Sequence, residues 1–185
     1  MKVIKKYSAA DENLYTEIVK GSEKALAQLM DNYIDPLCDY VMYFTHSKDL
    51  AEEVVADVFI NLWRIRESLK IQSSLRAYLY KACRNRALDL LEKEKRHLSD
   101  DIDTFHQIRG GTSPELSLHI KDLSRRIDSL ISEMPHQKQI IFRMSRIDGL
   151  KYSEIAEILS ISINTVRNHM VEAVKFMAKR KVDIE

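Results

Sequence analysis

The sequence contains few residues that interrupt helices, since four glycines and three prolines occur among its 185 residues. It also lacks the runs of alternating Val, Ile or Thr that half-buried strands show. Apolar residues nevertheless make up 45% of the chain, enough for the core of one ordinary domain or two small ones. Long helices joined by short turns fit these observations, so the sequence predicts an all-α fold.

The sequence lacks the residues that are characteristic of metal binding and of catalysis. The two cysteines, Cys38 and Cys83, have neither CxxC spacing nor histidines at ligand spacing, so we expect reduced thiols and no bound metal. The sequence shows no nucleophile–base pair and no phosphate-binding loop. An enzyme is therefore the least favoured interpretation, and neither a cofactor nor a small-molecule substrate is expected.

Long apolar runs and a strong net charge are also missing. No run approaches the ~20 apolar residues of a membrane span, and residues 1–15 lack the apolar region of a secretion signal. We therefore expect a cytoplasmic protein. The formal net charge is +1, so charge has to be read segment by segment.

Helical periodicity fails between residues 97 and 117. This segment, HLSDDIDTFHQIRGGTSPELS, holds two of the four glycines and carries four acids against one arginine. Such a composition is typical of a flexible or only locally ordered linker. We therefore predict helical domains at 1–96 and 118–185, joined by a linker at 97–117. In the first domain, Ser22 is expected to cap a helix that Pro36 kinks or restarts.

The second domain contains SEIAEILSISINTVRNH, a stretch typical of two short helices joined by a tight turn. Ala156 is small where a crossing helix approaches, Ile161 fills the turn, and Ser162 is placed to cap the second helix. Ser160 stands where such turns usually have glycine. A left-handed conformation there costs a non-glycine residue roughly 1 kcal/mol, which is tolerable.

The second helix of this pair has one apolar and one polar side. Its apolar stripe is expected to comprise Val166, Met170 and Val174. Its free side begins with Asn164, Thr165, Arg167 and Asn168, and a recognition helix reads base edges from that end. Asn and Arg can bond adenine and guanine bidentately, and Lys175 beyond them suits phosphate. The pattern predicts a DNA-binding helix-turn-helix, with a helical hairpin whose polar face is merely solvated as the alternative.

A second basic segment lies in the first domain. Between residues 64 and 96, ten Lys and Arg oppose four acids, a local net charge of +6. Tyr78 and Tyr80 lie among these charges, and aromatic rings in a basic groove hold single-stranded nucleic acid by stacking. The alternative is a solvated charged helix with Tyr78 in the core. Asn85 and Asp89 are four residues apart and can bond each other.

The helix before it is acidic on one side. In DLAEEVVADVFINLWR, four acids oppose a single arginine at the end. Such a face repels a phosphate backbone, so it is expected to face either solvent or a basic protein partner.

Taken in order, these segments resemble RNA polymerase sigma factors of the extracytoplasmic-function group, the smallest members of the sigma-70 family. DLAEEVVADVFINLWR is similar to the family's helix that binds core polymerase. LRAYLYKACRNRALDLLEKEKR resembles its helix that melts and reads the −10 element, and EMPHQKQIIFRMSRIDGLKYSEIAEILSISINTVRNHM its −35 domain. The resemblance extends from about Tyr15 to Lys179.

The resemblance implies a specificity subunit whose partners are core RNA polymerase, promoter DNA and an anti-sigma factor. For the polymerase-binding surface it implies Asp49, Glu52, Glu53, Asp57, Leu62 and Trp63, with a core position as the alternative for Trp63. For the −10 strand it implies Lys70, Gln72, Ser73, Arg76, Tyr80, Lys81 and Arg84. For the −35 duplex it implies Ser162, Asn164, Thr165, Arg167, Asn168 and Lys175. Glu172 stands where many members have a basic residue, and we expect it to repel phosphate.

Two other classes of protein remain alternatives. A dimeric helix-turn-helix regulator would bind palindromic sites without core polymerase, but it leaves the basic segment without a purpose. A helical adaptor would use the acidic helix alone, and it leaves the exposed Arg167 and Asn168 unexplained.

Overall fold

The computed structural model describes residues 8–71, 74–98 and 128–182. The regular elements within these ranges are helices, which confirms the predicted all-α fold. The chain divides into two compact units, Met1–Gly110 and Gly111–Glu185, and each is described by itself below.

The first unit consists of four helices in the described ranges: α1 (Ser8–Val19), α2 (Glu23–Thr45), α3 (Lys48–Ile65) and α4 (Leu75–Leu98). Serines begin α2 and α3, as hydroxyl acceptors at a helix N-terminus commonly do. The hydroxyl of Ser22 accepts a hydrogen bond from the amide of Ala25, and that of Ser47 accepts one from the amide of Leu50, both at 3.3 Å. The predicted cap at Ser22 is confirmed.

Proline does not divide α2. Pro36 lies inside a helix that is continuous from Glu23 to Thr45, so the expectation that it restarts the helix was wrong. A proline removes one helical hydrogen bond, yet α2 packs against α1, α3 and α4. The buried side chains on both sides of Pro36, including Tyr33 and Leu37, keep the helix continuous by tertiary packing.

Helix α4 extends past residue 96, the predicted end of the first domain. The hydroxyl of Ser74 accepts a hydrogen bond from the amide of Ala77 at 3.0 Å, and the helix then continues to Leu98. The first two residues of the expected linker are therefore helical. Its remainder, residues 99–117, lies outside the described residues.

The core of the first unit forms around α2. The fully buried rings of Tyr40 on α2 and Tyr80 on α4 lie 4.9 Å apart between centroids. Helix α1 contributes an unexpected polar contact, because the hydroxyl of Tyr33 donates to Oδ2 of the buried Asp11 at 2.6 Å. In addition, the Tyr15 hydroxyl donates to the carbonyl of Leu69 at 2.5 Å, which ties α1 to the segment that precedes α4.

The second unit contains the helical residues 128–132 and helices α5 (His136–Arg146), α6 (Tyr152–Leu159) and α7 (Ile163–Val182). Helix α7 packs against α5 and α6 through Val166, Met170 and Ala173, all of which are buried. Val174 was expected in this stripe, but 44% of it is exposed. Seven residues span nearly two full helical turns, so Ala173 and not Val174 returns to the side of Val166.

Both cysteines are free thiols. Cys38 is half-buried and Cys83 is buried, and burial is the main cause that raises the pKa of each. Of the helices that the structure describes, none combines the length and the hydropathy that crossing a membrane requires.

Candidate functional sites

The turn between α6 and α7 has the geometry of a helix-turn-helix. Ser160 ends α6 in the left-handed conformation, with φ 56° and ψ 43°. The amide of Ile161 then donates to the carbonyl of Ala156 at 3.0 Å, and the amide of Ser160 donates to the same carbonyl, as is common where a helix ends in a left-handed residue. The Ser162 hydroxyl accepts from the amide of Thr165 at 3.0 Å, so the predicted cap of α7 is confirmed.

The side of α7 that faces away from the core carries most of the residues predicted to read the −35 element. Asn164, Arg167, Asn168 and Lys175 are exposed, and separations of three (Asn164 to Arg167), four (Asn164 to Asn168) and seven residues (Asn168 to Lys175) place them on one side of the helix. Arg167 Nη1 donates to Oδ1 of Asn164 at 3.1 Å, which shows that these two side chains share one surface. Thr165 is half-buried, and its hydroxyl lies 2.8 Å from that of Ser162. These two hydroxyls are engaged in capping the helix.

Sequence reasoning overlooked Val171, which lies on the same side. It follows Asn168 by three residues and precedes Lys175 by four, and 53% of it is exposed. The signal that could have found it is this spacing, because a valine at these intervals from polar residues falls on the polar face.

Glu172, which is expected to repel phosphate, forms an ion pair within the unit. Its carboxylate lies 2.5 Å from Nζ of Lys138 on α5, and this hydrogen bond holds the pKa of Glu172 below its usual range. The lysine offsets the negative charge locally, so the expected repulsion of phosphate is weakened.

Two further ion pairs connect elements within this unit. Arg143 on α5 contacts Asp128 at 2.9 Å, and Arg180 on α7 contacts Glu133 at 2.7 Å. Both join an arginine to the segment that precedes α5. Arg180 is therefore less available for phosphate than its basic neighbourhood in the sequence suggests.

In the first unit, α4 buries two residues that were predicted to contact the −10 strand. Tyr80 is fully buried against Tyr40, so its ring presents no exposed face on which a base could stack. Only 9% of Arg76 is exposed, and its guanidinium lies 5.8 Å from the centroid of the Tyr80 ring. The reason is helical spacing, since Arg76, Tyr80, Cys83 and Ala87 recur every three or four residues and form the buried side of α4.

The other predicted −10 residues lie at or near the surface. Lys70 is exposed, and Lys81 and Arg84 are half-exposed on α4. Gln72 and Ser73 lie outside the described residues. Tyr78, for which the sequence left both base stacking and a core position open, is half-buried.

The acidic residues near the N-terminal end of α3 are exposed to solvent. Asp49, Glu52 and Glu53 are exposed, and Glu52 forms a 3.3 Å ion pair with Lys48. Leu62, predicted to contact polymerase, is fully buried and packs in the core of the unit. The cause is again spacing, because Val55, Val58 and Leu62 form one buried stripe.

At the end of α3 the remaining predicted residues have partners within the unit. Trp63 is half-buried, and the guanidinium of Arg66 lies 4.3 Å above its ring. Oδ2 of Asp57 accepts hydrogen bonds from Nε and Nη2 of Arg86 on α4, at 2.8 and 2.5 Å. Asp57 therefore joins two helices, a structural role that the sequence did not indicate.

A groove of about 480 Å³ runs between α3 and α4 beside this ion pair. Its lining combines acids, bases, amides and apolar side chains: Asp57, Val58, Ile60, Asn61, Arg64, Ala82, Asn85, Arg86 and Asp89. Asn85 and Asp89, which the sequence allowed to bond each other, thus border an open groove. Ile60 is 66% exposed there, an apolar surface on the solvent side of α3.

Comparison with known proteins matches both units to one family. Residues 29–97 match Sigma-70 region 2, and residues 124–177 match Sigma-70, region 4. Together these regions cover more than half of the chain, and they fall in the order that the sequence analysis expected.

Curated relatives extend the match over most of the chain. The ECF RNA polymerase sigma-E factor of Escherichia coli K12 is 27% identical over 172 residues, which cover 88% of this chain and 90% of that protein. The corresponding factor of Haemophilus influenzae is 24% identical over the same shares.

Two solved structures share the fold. CnrH in complex with the cytosolic domain of CnrY has a TM-score of 0.63 at 19% identity, covering 94% of this chain and 99% of CnrH. The sigma factor RpoE in complex with the anti-sigma factor NepR, from Bartonella quintana, has a TM-score of 0.64 at 18% identity. That match covers 84% of this chain and 96% of the other.

The two units, with a helix-turn-helix in the second, define a promoter-specificity subunit of RNA polymerase. The chain belongs to the sigma-70 family of sigma factors, in the extracytoplasmic-function group, and it directs transcription initiation. Sigma factors are not an enzyme family. The presence of both regions in one chain favours this assignment over the dimeric regulator and the adaptor.

Proposed function

We propose that this sigma factor divides promoter reading and polymerase binding among three helices. Helix α7 reads the −35 duplex, α4 contacts the −10 strand, and the beginning of α3 binds core polymerase. The observation that carries the proposal is the exposed row of Asn164, Arg167, Asn168 and Lys175 at and after the N-terminal end of α7.

The −35 assignment follows from the chemistry of that row. Arg167 is suited to a bidentate contact with guanine and Asn168 to one with adenine. Lys175 lies about two turns further along the helix, where it would contact phosphate without reading sequence. Ser162 and Thr165 support the row by capping the helix.

For the −10 strand we propose a smaller set of contacts than the sequence suggested. Lys70, Lys81 and Arg84 remain accessible on the first unit, and they would neutralise phosphates of the melted strand. Tyr80 and Arg76 lie on the buried side of α4, so they would contribute to this surface by packing and not by direct contact.

The polymerase-binding surface is proposed to comprise Asp49, Glu52 and Glu53, with the half-buried Trp63 at its far end. Three exposed carboxylates on one helix attract a basic partner and repel DNA, which keeps the two binding functions apart. Asp57 and Leu62 act indirectly, the first through its ion pair with Arg86 and the second through the core.

We further propose that the protein acts in the cytoplasm, where RNA polymerase works, and that an anti-sigma protein holds it inactive. Both structural neighbours described above were solved with such a partner or with a cytosolic protein domain. That likeness motivates the proposal, and titration of the free protein with candidate anti-sigma domains would test it.

Gel filtration against core RNA polymerase tests the central claim. The wild-type chain is expected to form a one-to-one complex, and the Asp49→Arg, Glu53→Arg double variant is expected to lose it. Glu12→Arg, Glu17→Arg on α1 is the matched control, because it makes the same charge change at exposed acids on another helix. Equal binding by all three proteins would overturn the assignment of α3, and no binding by any would overturn the role itself.

Promoter binding by the assembled holoenzyme separates readers from phosphate contacts. Arg167→Ala should cost about 1–3 kcal/mol at the preferred sequence and relax specificity at one base pair. Lys175→Ala should weaken binding to all sequences alike and lower the salt dependence by about one counterion. A uniform loss in Arg167→Ala would contradict base reading by this residue.

A further inference from the structure

Val171 is an exposed apolar side chain in the middle of the polar row on α7, and neither the core nor the proposed polar contacts use it. Val171 is 53% exposed, whereas the core of this unit receives Val166, Met170 and Ala173 from the same helix. A single exposed valine is ordinary on a protein surface. Its position is what distinguishes it, since it lies between Asn168 and Lys175 in the row proposed to enter the major groove.

The major groove offers an apolar side chain a specific partner. The C5-methyl group of thymine is the one apolar group among the base edges of that groove, and apolar side chains recognise thymine through it. Valine suits this task because its χ1 angle is largely fixed in a helix, so little rotamer freedom is lost on contact. None of the polar neighbours in the row can read this group by hydrogen bonding.

Helix geometry also sets the distance between this contact and its neighbour. Val171 follows Arg167 by four residues, which places it about 6 Å further along the helix axis. Successive bases of a strand are about 3.4 Å apart, so the two side chains address positions about two base pairs apart. A guanine and a thymine at this separation, on either strand, are therefore the expected pair.

We infer that Val171 is a specificity-determining residue of −35 recognition, which packs against the methyl group of a thymine about two base pairs from the base read by Arg167. The inference rests on the proposed function of α7 and deepens it. It assigns an apolar contact to a helix whose predicted readers were all polar.

Val174 provides a matched control within the same helix. It is also a valine, and 44% of it is exposed. However, it lies about 60° around the helix from Val171 and one turn further from the N-terminal end that enters the groove. Truncation of Val174 removes the same atoms, and alanine favours the helix at both positions, so both variants are expected to fold.

The experiment uses holoenzyme assembled from core polymerase and the full chain. A promoter library randomised in the −35 region first identifies the preferred element, and each of its thymines is then replaced by deoxyuridine, which removes only the methyl group. We expect one replacement to weaken binding by the wild-type holoenzyme about fourfold, the equivalent of one buried methyl group. The Val171→Ala holoenzyme should not respond to that replacement, whereas Val174→Ala should respond as the wild type does.

The outcomes separate the inference from the proposed function. If methyl removal affects Val171→Ala and wild-type holoenzymes equally, or the selected element has no thymine near the base affected by Arg167→Ala, the inference is overturned while α7 remains the reader. If Arg167→Ala and Asn168→Ala each leave the selected element unchanged, α7 does not read this DNA, and the proposed function fails together with the inference.

Discussion

Replacing Leu62 with alanine tests whether this side chain belongs to the polymerase-binding surface or to the core. Leu62 is fully buried on α3, in a helix that packs against both α2 and α4. Removing its terminal carbon atoms loses their burial and leaves a cavity. We expect Leu62→Ala to lower the free energy of unfolding of the first unit by about 3 kcal/mol, within the range of such substitutions.

The fluorescence of the neighbouring Trp63 can be used to measure this loss of stability. Trp63 is the single tryptophan of the chain, and its ring packs under the guanidinium of Arg66 at 4.3 Å. Its fluorescence therefore reports the unfolding of the first unit in the full-length protein. For a unit of this size, a loss of about 3 kcal/mol corresponds to a fall of roughly 12–24 °C in melting temperature.

Ile60→Ala is the matched control for this measurement. Ile60 lies two residues earlier on the same helix, and 66% of it is exposed, so its truncation should change stability by less than about 0.5 kcal/mol. If Leu62→Ala instead unfolds like the wild type and yet loses core polymerase, the side chain is a direct contact. The core assignment would then be refuted.

Three further substitutions or reactions test other features. Ser160→Gly should stabilise the second unit by about 0.5–1 kcal/mol, because glycine removes the energetic cost of the left-handed conformation, and this gain exceeds the conformational entropy that glycine adds to the unfolded chain. An unchanged or lower melting midpoint by circular dichroism would count against this. Tyr33→Phe should cost about 1–2 kcal/mol through loss of the 2.6 Å hydrogen bond to Asp11, and urea unfolding followed by Trp63 fluorescence measures it. Burial, with nearby carboxylates, raises the pKa of Cys38 to about 11. Since the thiolate reacts, alkylation at pH 8 should be about a hundredfold slower than for an ordinary thiol and rise with pH until about pH 11, whereas a plateau near pH 9 would contradict the shift.

The helices and the turn of the second unit were accessible from the sequence because their determinants are local. Ser22 and Ser162 cap the helices that follow them, and each hydrogen bond spans three residues. The turn at Ser160 likewise depends on the conformation of one residue. The spacing of apolar residues correctly predicted Val166 and Met170 on the buried side of α7, but it predicted Val174 there in place of the neighbouring Ala173.

The assignment of surface residues was less accurate on α3 and α4. Both helices carry aromatic or apolar residues beside charged ones, and a charged neighbour in the sequence does not indicate which side of the helix faces the core. Tyr80 and Leu62 were placed on binding surfaces, but both are fully buried. The burial of Arg76 was not anticipated either, because an arginine is rarely buried and the sequence does not indicate what surrounds it.

By itself, the sequence determined the helical fold, the two-part organisation and the family, because composition, helical spacing and the order of motifs are all properties of a linear chain. The tertiary structure decided which charges pair across helices. Asp57 with Arg86, and Lys138 with Glu172, are separated by 29 and 34 residues, and no local pattern connects them. It also decided that Val171 faces outward with the exposed polar side chains of α7, since the position of a side chain relative to the core depends on how the helix packs against α5 and α6.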